Sequence, residues 1–183
     1  MILPIHLYGS SVLRKISEPI NKDKDEINEI VNNMFETMYN ANGIGLSAPQ
    51  VGINKRIIVV DATSMSNEFK ELKDFKKIFI NPIETEIKGN DYLFDEGCLS
   101  LPGIGEKVNR KSEICLEYLD ENLSIKKECF KGIKARILMH EYDYLEGVLF
   151  IDHLSPIKRK MLKSKLKSII KGKIKINYKT TKI

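Results

Sequence analysis

Apolar positions recur every three or four residues through residues 24–41 (KDEINEIVNNMFETMYNA), where Ile27, Ile30, Val31, Met34, Phe35 and Met38 share one side. That spacing predicts an amphipathic helix with one buried stripe, and Gly43 is placed to end it. The pattern then shortens. Residues 56–61 (RIIVVD) and 77–81 (KIFIN) each hold a short apolar run between polar ends and predict buried strands, the second expected to stop at Pro82. Residues 84–88, 91–94 and 113–119 predict further short strands. Residues 124–130 alternate imperfectly and are expected to pair with 113–119 through a turn at 120–122. Helical spacing returns over 132–146, ending at Gly147, and again from Pro156 through Ile157, Met161, Leu162, Leu166, Ile169 and Ile170. The last residues (KIKINYK) alternate and predict an edge strand or a loose end. Short strands clustered between helices make the fold class α+β.

Charge changes this picture at one place. The whole chain of 183 residues carries a net +5, but from Ser155 onward there are 11 Lys/Arg and no Asp/Glu. The preceding residues hold 19 basic against 25 acidic side chains. An acidic body therefore carries a basic C-terminal helix and tail, a footprint for a polyanion or simply a solvated face. The reading is one domain, its body over 1–155 and its basic helix and tail over 156–183. No apolar run approaches the roughly 18 residues of a spanning helix, and the first residues (MILPIHLYGS) lack a basic region followed by an apolar stretch. Three Cys argue against a disulfide framework and for a reducing, cytoplasmic setting.

Three short motifs carry candidate chemistry. Gly43–Gln50 (GIGLSAPQ) follows a helix rather than a strand, so it is no phosphate loop, and its glycines suit close backbone approach. Glu96–Ser100 (EGCLS) places Cys98 beside a glycine, where a thiolate could be a nucleophile or metal ligand. Alone it reads as readily as a small buried hydrophobe, as Cys115 and Cys129 do within their strands. His140-Glu141 lies on the second predicted helix, but the position one turn later, where a zinc-type His-Glu-x-x-His motif needs its second imidazole, is Tyr144.

Taken together, GIGLSAPQ at 43–50, EGCLS at 96–100 and HEYDYLEG at 140–147 resemble the three motifs of the peptide deformylases, in that family's order and at about its spacings. The resemblance runs from ILPIHLYGSSVLRK to the helix after Pro156. It implies antiparallel sheets packed around a central metal-site helix, with a C-terminal helix. It implies a metal-dependent hydrolase that removes the formyl group from the N-terminal formyl-methionine of new polypeptides and releases formate. Carried over by position, Cys98 and His140 are metal ligands, Glu141 is the general base, and Gln50 and the Leu99 N–H are oxyanion donors. Gly45 lets the substrate backbone dock as an added strand, and Ile44, with Ile133 and Ile137, walls the methionine pocket. The implied metal is Fe2+, with Zn2+ or Ni2+ as alternatives. The implied partners are formyl-methionyl nascent peptides and the ribosome, whose RNA the basic helix would meet, for a monomeric cytoplasmic protein.

Tyr144 is the main departure. A phenol oxygen reaches roughly 2 Å further from Cβ than imidazole Nε2 does, and metal–ligand bonds are only about 2.0–2.3 Å long. Three alternatives follow: phenolate ligation, a water or another side chain in the gap, or a lost metal. The last would leave a catalytically inactive binding protein for nascent chains at the ribosome. His153 lies beyond the helix and is a poor substitute. Smaller departures are Ser47, where the family usually has Ala, and Gly105, where many members have Arg. Glu96 and Arg110 stand where the family has a structural ion pair.

Overall fold

The computed structural model describes residues 1–21 and 23–181; the two last residues of the basic tail lie outside that range. Helix α1 spans Lys24–Asn40. Asp23 caps it, its carboxylate accepting from the Asp25 and Glu26 amides at 3.0 and 3.1 Å. Its stripe of Ile27, Val31, Met34 and Met38 is buried. The helix ends through Asn42, which takes the left-handed conformation (φ 55°) in place of Gly43. Gly43 instead provides space: a Cβ there would lie 3.1 Å from Leu99 Cδ1 and 3.2 Å from Met38 Cγ.

Five strands follow: β1 (Gly45–Ser47), β2 (Ile57–Asp61), β3 (Lys76–Gly97), β4 (Gly105–Leu119) and β5 (Ile125–Lys131). They form one antiparallel sheet in the order β1-β2-β3-β4-β5, which leaves β1 at an edge. The three expected strands over 77–94 are one strand. Pro82 does not end it, because the register shifts between Ile80 and Ile83 and the residue without an amide proton sits in that irregularity. Asn81, at φ 50°, makes the bend and ties it down by bonding the Ile20 amide and carbonyl. β4 and β5 pair as the alternation predicts, with Cys115 opposite Cys129. These two cysteines form a disulfide, which corrects the expectations that the cysteines stay unlinked and that both are buried; Cys115 is buried as expected, whereas Cys129 is exposed.

Helix α2 (Gly132–Leu145) is buried on nearly every face, from Ile133 to Leu145, as a central helix must be. One side packs on the sheet through Phe79, Ile114, Leu116 and Phe130. Tyr144 faces a second core with Leu101, Val108 and Phe150, to which α3 (Pro156–Ile170) contributes Leu162, Leu166 and Ile169. A third core joins α1 to β1 and β2.

The segment after α3 is neither loose nor part of the sheet. Ile174 and Ile176 pack on the second core. Ile5 bridges Thr180 in parallel, through Ile5 N–H to Lys179 O at 2.9 Å and Thr181 N–H to Ile5 O at 3.0 Å. Among the described residues, no helix is long and apolar enough to cross a membrane.

Candidate active site

The three motifs converge on one cleft of about 360 Å³. Its lining includes Gly43, Ile44, Gly45 and Gln50 from the first motif, Glu96 to Leu99 from the second, and His140 and Glu141 from α2. Ile133 and Ile137, two turns and one turn before Glu141, line the same cleft, and Met65 and Phe94 join them as walls that the sequence did not suggest.

His140 is oriented from behind. Its Nδ1 lies 2.8 Å from Glu96 Oε2, which leaves Nε2 for Cys98. Phe150 stacks on the imidazole, with ring centres 5.9 Å apart. Burial resists a charge on His140, but the adjacent Cys98 and Glu96 outweigh it and raise its pKa to about 10. Glu96 is itself held by two guanidinium groups, with Arg110 Nε at 2.7 Å and Arg136 Nη1 at 2.9 Å. Burial pushes the Glu96 carboxyl up, yet His140 and Arg110 hold it well below the usual range. The expected ion pair with Arg110 is therefore present. Arg136 was not foreseen, although its place one turn before His140 on α2 is the sequence sign of it.

Glu141 is buried, and that burial raises its pKa. Its carboxylate lies directly over Gly45, where a Cβ would come within 2.6 Å of Oε1. The missing side chain of Gly45 thus makes room for Glu141. The Ser47 hydroxyl, which an Ala would lack, lies 2.6 Å from Glu141 Oε2 and 2.8 Å from the Glu141 carbonyl. Gln50 is also fixed: its Oε1 accepts from the Ser47 amide at 2.9 Å, which turns Nε2 toward Ser100 Oγ at 3.4 Å.

Cys98 is a partly exposed free thiol just after β3. Tyr144 lies next to it, 1% exposed, and among the described residues its hydroxyl has no hydrogen-bond partner. Burial, then the neighbouring Cys98, keeps the phenol pKa well above its ordinary value. Among the described residues, no third thiol, imidazole or carboxylate closes with Cys98 and His140 into a three-donor cluster. His153 does not fill the gap: its Nε2 is 2.8 Å from Asp143 and 3.3 Å from Arg110 Nη1.

The arrangement offers a thiol, an imidazole and an unpartnered buried phenol beside a carboxylate and amide donors. Comparison with known proteins adds a consistent pattern. The sequence model of the family described as polypeptide deformylase matches residues 2–160. A peptide deformylase of Christiangramia forsetii is 46% identical over 186 residues, covering 98% of this chain and 95% of that protein. One of Flavobacterium johnsoniae matches equally well and over the same shares. Among solved structures, a peptide deformylase of Plasmodium falciparum superposes with a TM-score of 0.82 at 40% identity, covering 92% of this chain and 95% of that one. One from Legionella pneumophila gives 0.82 at 34% identity, covering 94% and 98%.

Proposed function

Since this chain belongs to the polypeptide deformylase family, we propose that its cleft carries out that family's reaction with Glu141 as general base, Gln50 and Leu99 as oxyanion donors, and Cys98, His140 and Tyr144 as metal ligands. The reaction is hydrolysis of the formyl group from the N-terminal formyl-methionine of newly made polypeptides, with release of formate. The observation that carries the assignment is the convergence of the three motifs on one cleft, with Glu141 and Gln50 each held in a defined orientation.

The donor set fits a metal. A buried hydroxyl without a partner costs stability, and at Tyr144 it stands beside the two other donors. Thiolate and imidazole suit Fe2+, Zn2+ and Ni2+ alike, and a tyrosinate ligand is one that iron accepts; Fe2+ is the assignment we favour. Bound there, a metal supplies Lewis acidity, polarising a carbonyl and lowering a water's pKa from about 15.7 to about 7.

The chain's own residues do the rest. Glu141 takes the proton of the attacking water and delivers it to the leaving amine, and its burial raises its pKa, which strengthens it as a base. Gln50 Nε2 and the Leu99 N–H aim at the charge that develops on the formyl oxygen, each such donor being worth roughly 3–4 kcal/mol. The free edge of β1 accepts the peptide backbone as an added strand. Ile44, Ile133 and Ile137 surround the methionine side chain. Glu96, with Arg110 and Arg136, holds His140 in a single orientation.

The basic face of α3 is the proposed contact with ribosomal RNA, in a monomeric cytoplasmic enzyme. Arg159, Lys160, Lys163, Lys165 and Lys167 are exposed, whereas Leu162, Leu166 and Ile169 are core residues. Charge reversal of the exposed lysines therefore tests that contact better than deletion of the helix. The enzymatic reading is tested by formate release from a formyl-Met tripeptide, using protein prepared anaerobically with Fe2+. Turnover that Glu141→Gln abolishes without loss of metal is expected. No formate from metal-loaded protein would overturn the reading and leave a binding protein.

A further inference from the structure

Beyond residue 160, where the family match ends, one side chain reaches back to the active-site loop. The Tyr178 hydroxyl donates to the Leu99 carbonyl at 2.6 Å. Among the described residues it is the donor that the Leu99 carbonyl has, and the neighbouring carbonyls have others. Cys98 O accepts from the Leu101 amide at 3.2 Å, and Ser100 O from the Tyr8 amide at 2.8 Å. Gln50 O accepts from the His6 amide at 2.7 Å. The N-terminal segment thus holds Ser100 and Gln50, while the C-terminal tail holds Leu99.

The tail is well placed for this. Residues 179–181 clasp Ile5, and Ile174 and Ile176 are packed into the second core, which Cys98 also borders. Tyr178 is therefore anchored on both sides along the chain. A phenol is protonated at neutral pH, so the Tyr178 hydroxyl serves as the donor in this bond. The Leu99 N–H lies in the preceding Cys98–Leu99 plane, which the longer 3.2 Å bond from the Leu101 amide holds, so loss of the Tyr178 bond would let the Leu99–Ser100 plane turn about the Leu99 Cα and pull that N–H off line. Hydrogen bonds of this kind are directional, and misplacing a group by about 1 Å can cost about 100-fold in rate.

We propose that Tyr178 is a positioning residue for the oxyanion-binding loop, aiming the Leu99 N–H by fixing the Leu99 carbonyl. The proposal rests on the reading of Leu99 as an oxyanion donor. It assigns a part in catalysis to a segment that contributes no lining to the cleft.

The test compares metal-loaded wild type with Tyr178→Phe and with Lys179→Ala. Lys179 bonds the Ile2 carbonyl at 3.0 Å, so its variant loosens the same tail without touching the loop. Expected for Tyr178→Phe is a kcat lowered by about 10-fold to 100-fold, with KM, metal content and Tm near wild type. Hydrogen exchange at residues 97–101 should also be faster. Lys179→Ala should keep the wild-type kcat. Unchanged kcat in Tyr178→Phe overturns the proposal, as does a loss that Lys179→Ala shares in step with a lower Tm. Absence of turnover in the wild type would instead overturn the reading of the site itself.

Discussion

Replacing Tyr144 by Phe should move stability in opposite directions with and without metal. The ring lies in a core of Leu101, Val108, Leu149 and Phe150, and phenylalanine keeps that packing. What is lost is one buried hydroxyl that has no partner. Such a group costs about 1–3 kcal/mol, and for a chain of this size each kcal/mol shifts Tm by about 2–4 °C. The metal-free variant should therefore melt about 2–12 °C above the metal-free wild type. With metal the order should reverse, because a ligand that binds only the native state stabilises it according to its affinity. Loss of an outer-shell partner already costs about 10–100-fold in metal affinity, and loss of a ligand should cost at least the upper figure. Calorimetry of both proteins in chelator and under anaerobic Fe2+, with metal content measured alongside, reads both effects. A metal-free variant that melts lower than wild type would show that the hydroxyl is already satisfied. Equal metal content and equal stabilisation by Fe2+ would show that Tyr144 is not a ligand.

Two further outcomes follow from the carboxylates. The Ser47 hydroxyl favours the ionised form of Glu141, so Ser47→Ala should raise that pKa. Because Glu141 must be ionised to accept a proton, the acid limb of kcat/KM against pH should move to higher pH; an unmoved limb would show that the hydroxyl bonds only the Glu141 carbonyl. Glu96 is depressed in the folded state, so its contribution to stability is complete above its unfolded pKa of about 4.3 and is lost as pH falls below that value. The free energy of unfolding, read from denaturant titrations, should accordingly decline between pH 5 and pH 3 by roughly 1 kcal/mol or more further in wild type than in Glu96→Gln, and parallel declines would refute the assignment.

The sequence shows most clearly what local chemistry decides. Helix α1 is legible from its stripe and α3 from its proline and leucines, because periodicity and caps act within a few residues. The cleft is legible because three motifs name most of its polar groups. The long β3 is harder to read, since Pro82 and Gly89 look like ends and only pairing with β4 shows that they sit at register shifts. The Cys115–Cys129 link depends on which residues of β4 and β5 face each other, and turn composition does not settle that register to the residue. Arg136 and Tyr178 depend on distant contacts. Arg136 reads as one more helix charge until Glu96 is brought beneath it, and Tyr178 is an ordinary polar-tail residue until the chain returns to Leu99.

The clasp also sets an order of events while the chain is being made. Residues 5–8, which hold Gln50 and Ser100, leave the ribosome long before Tyr178 and residues 179–181, which close on Leu99 and Ile5. Folding during synthesis runs from the N-terminus, so the site is half braced for most of that time and fully braced only after residues 178–181 have emerged.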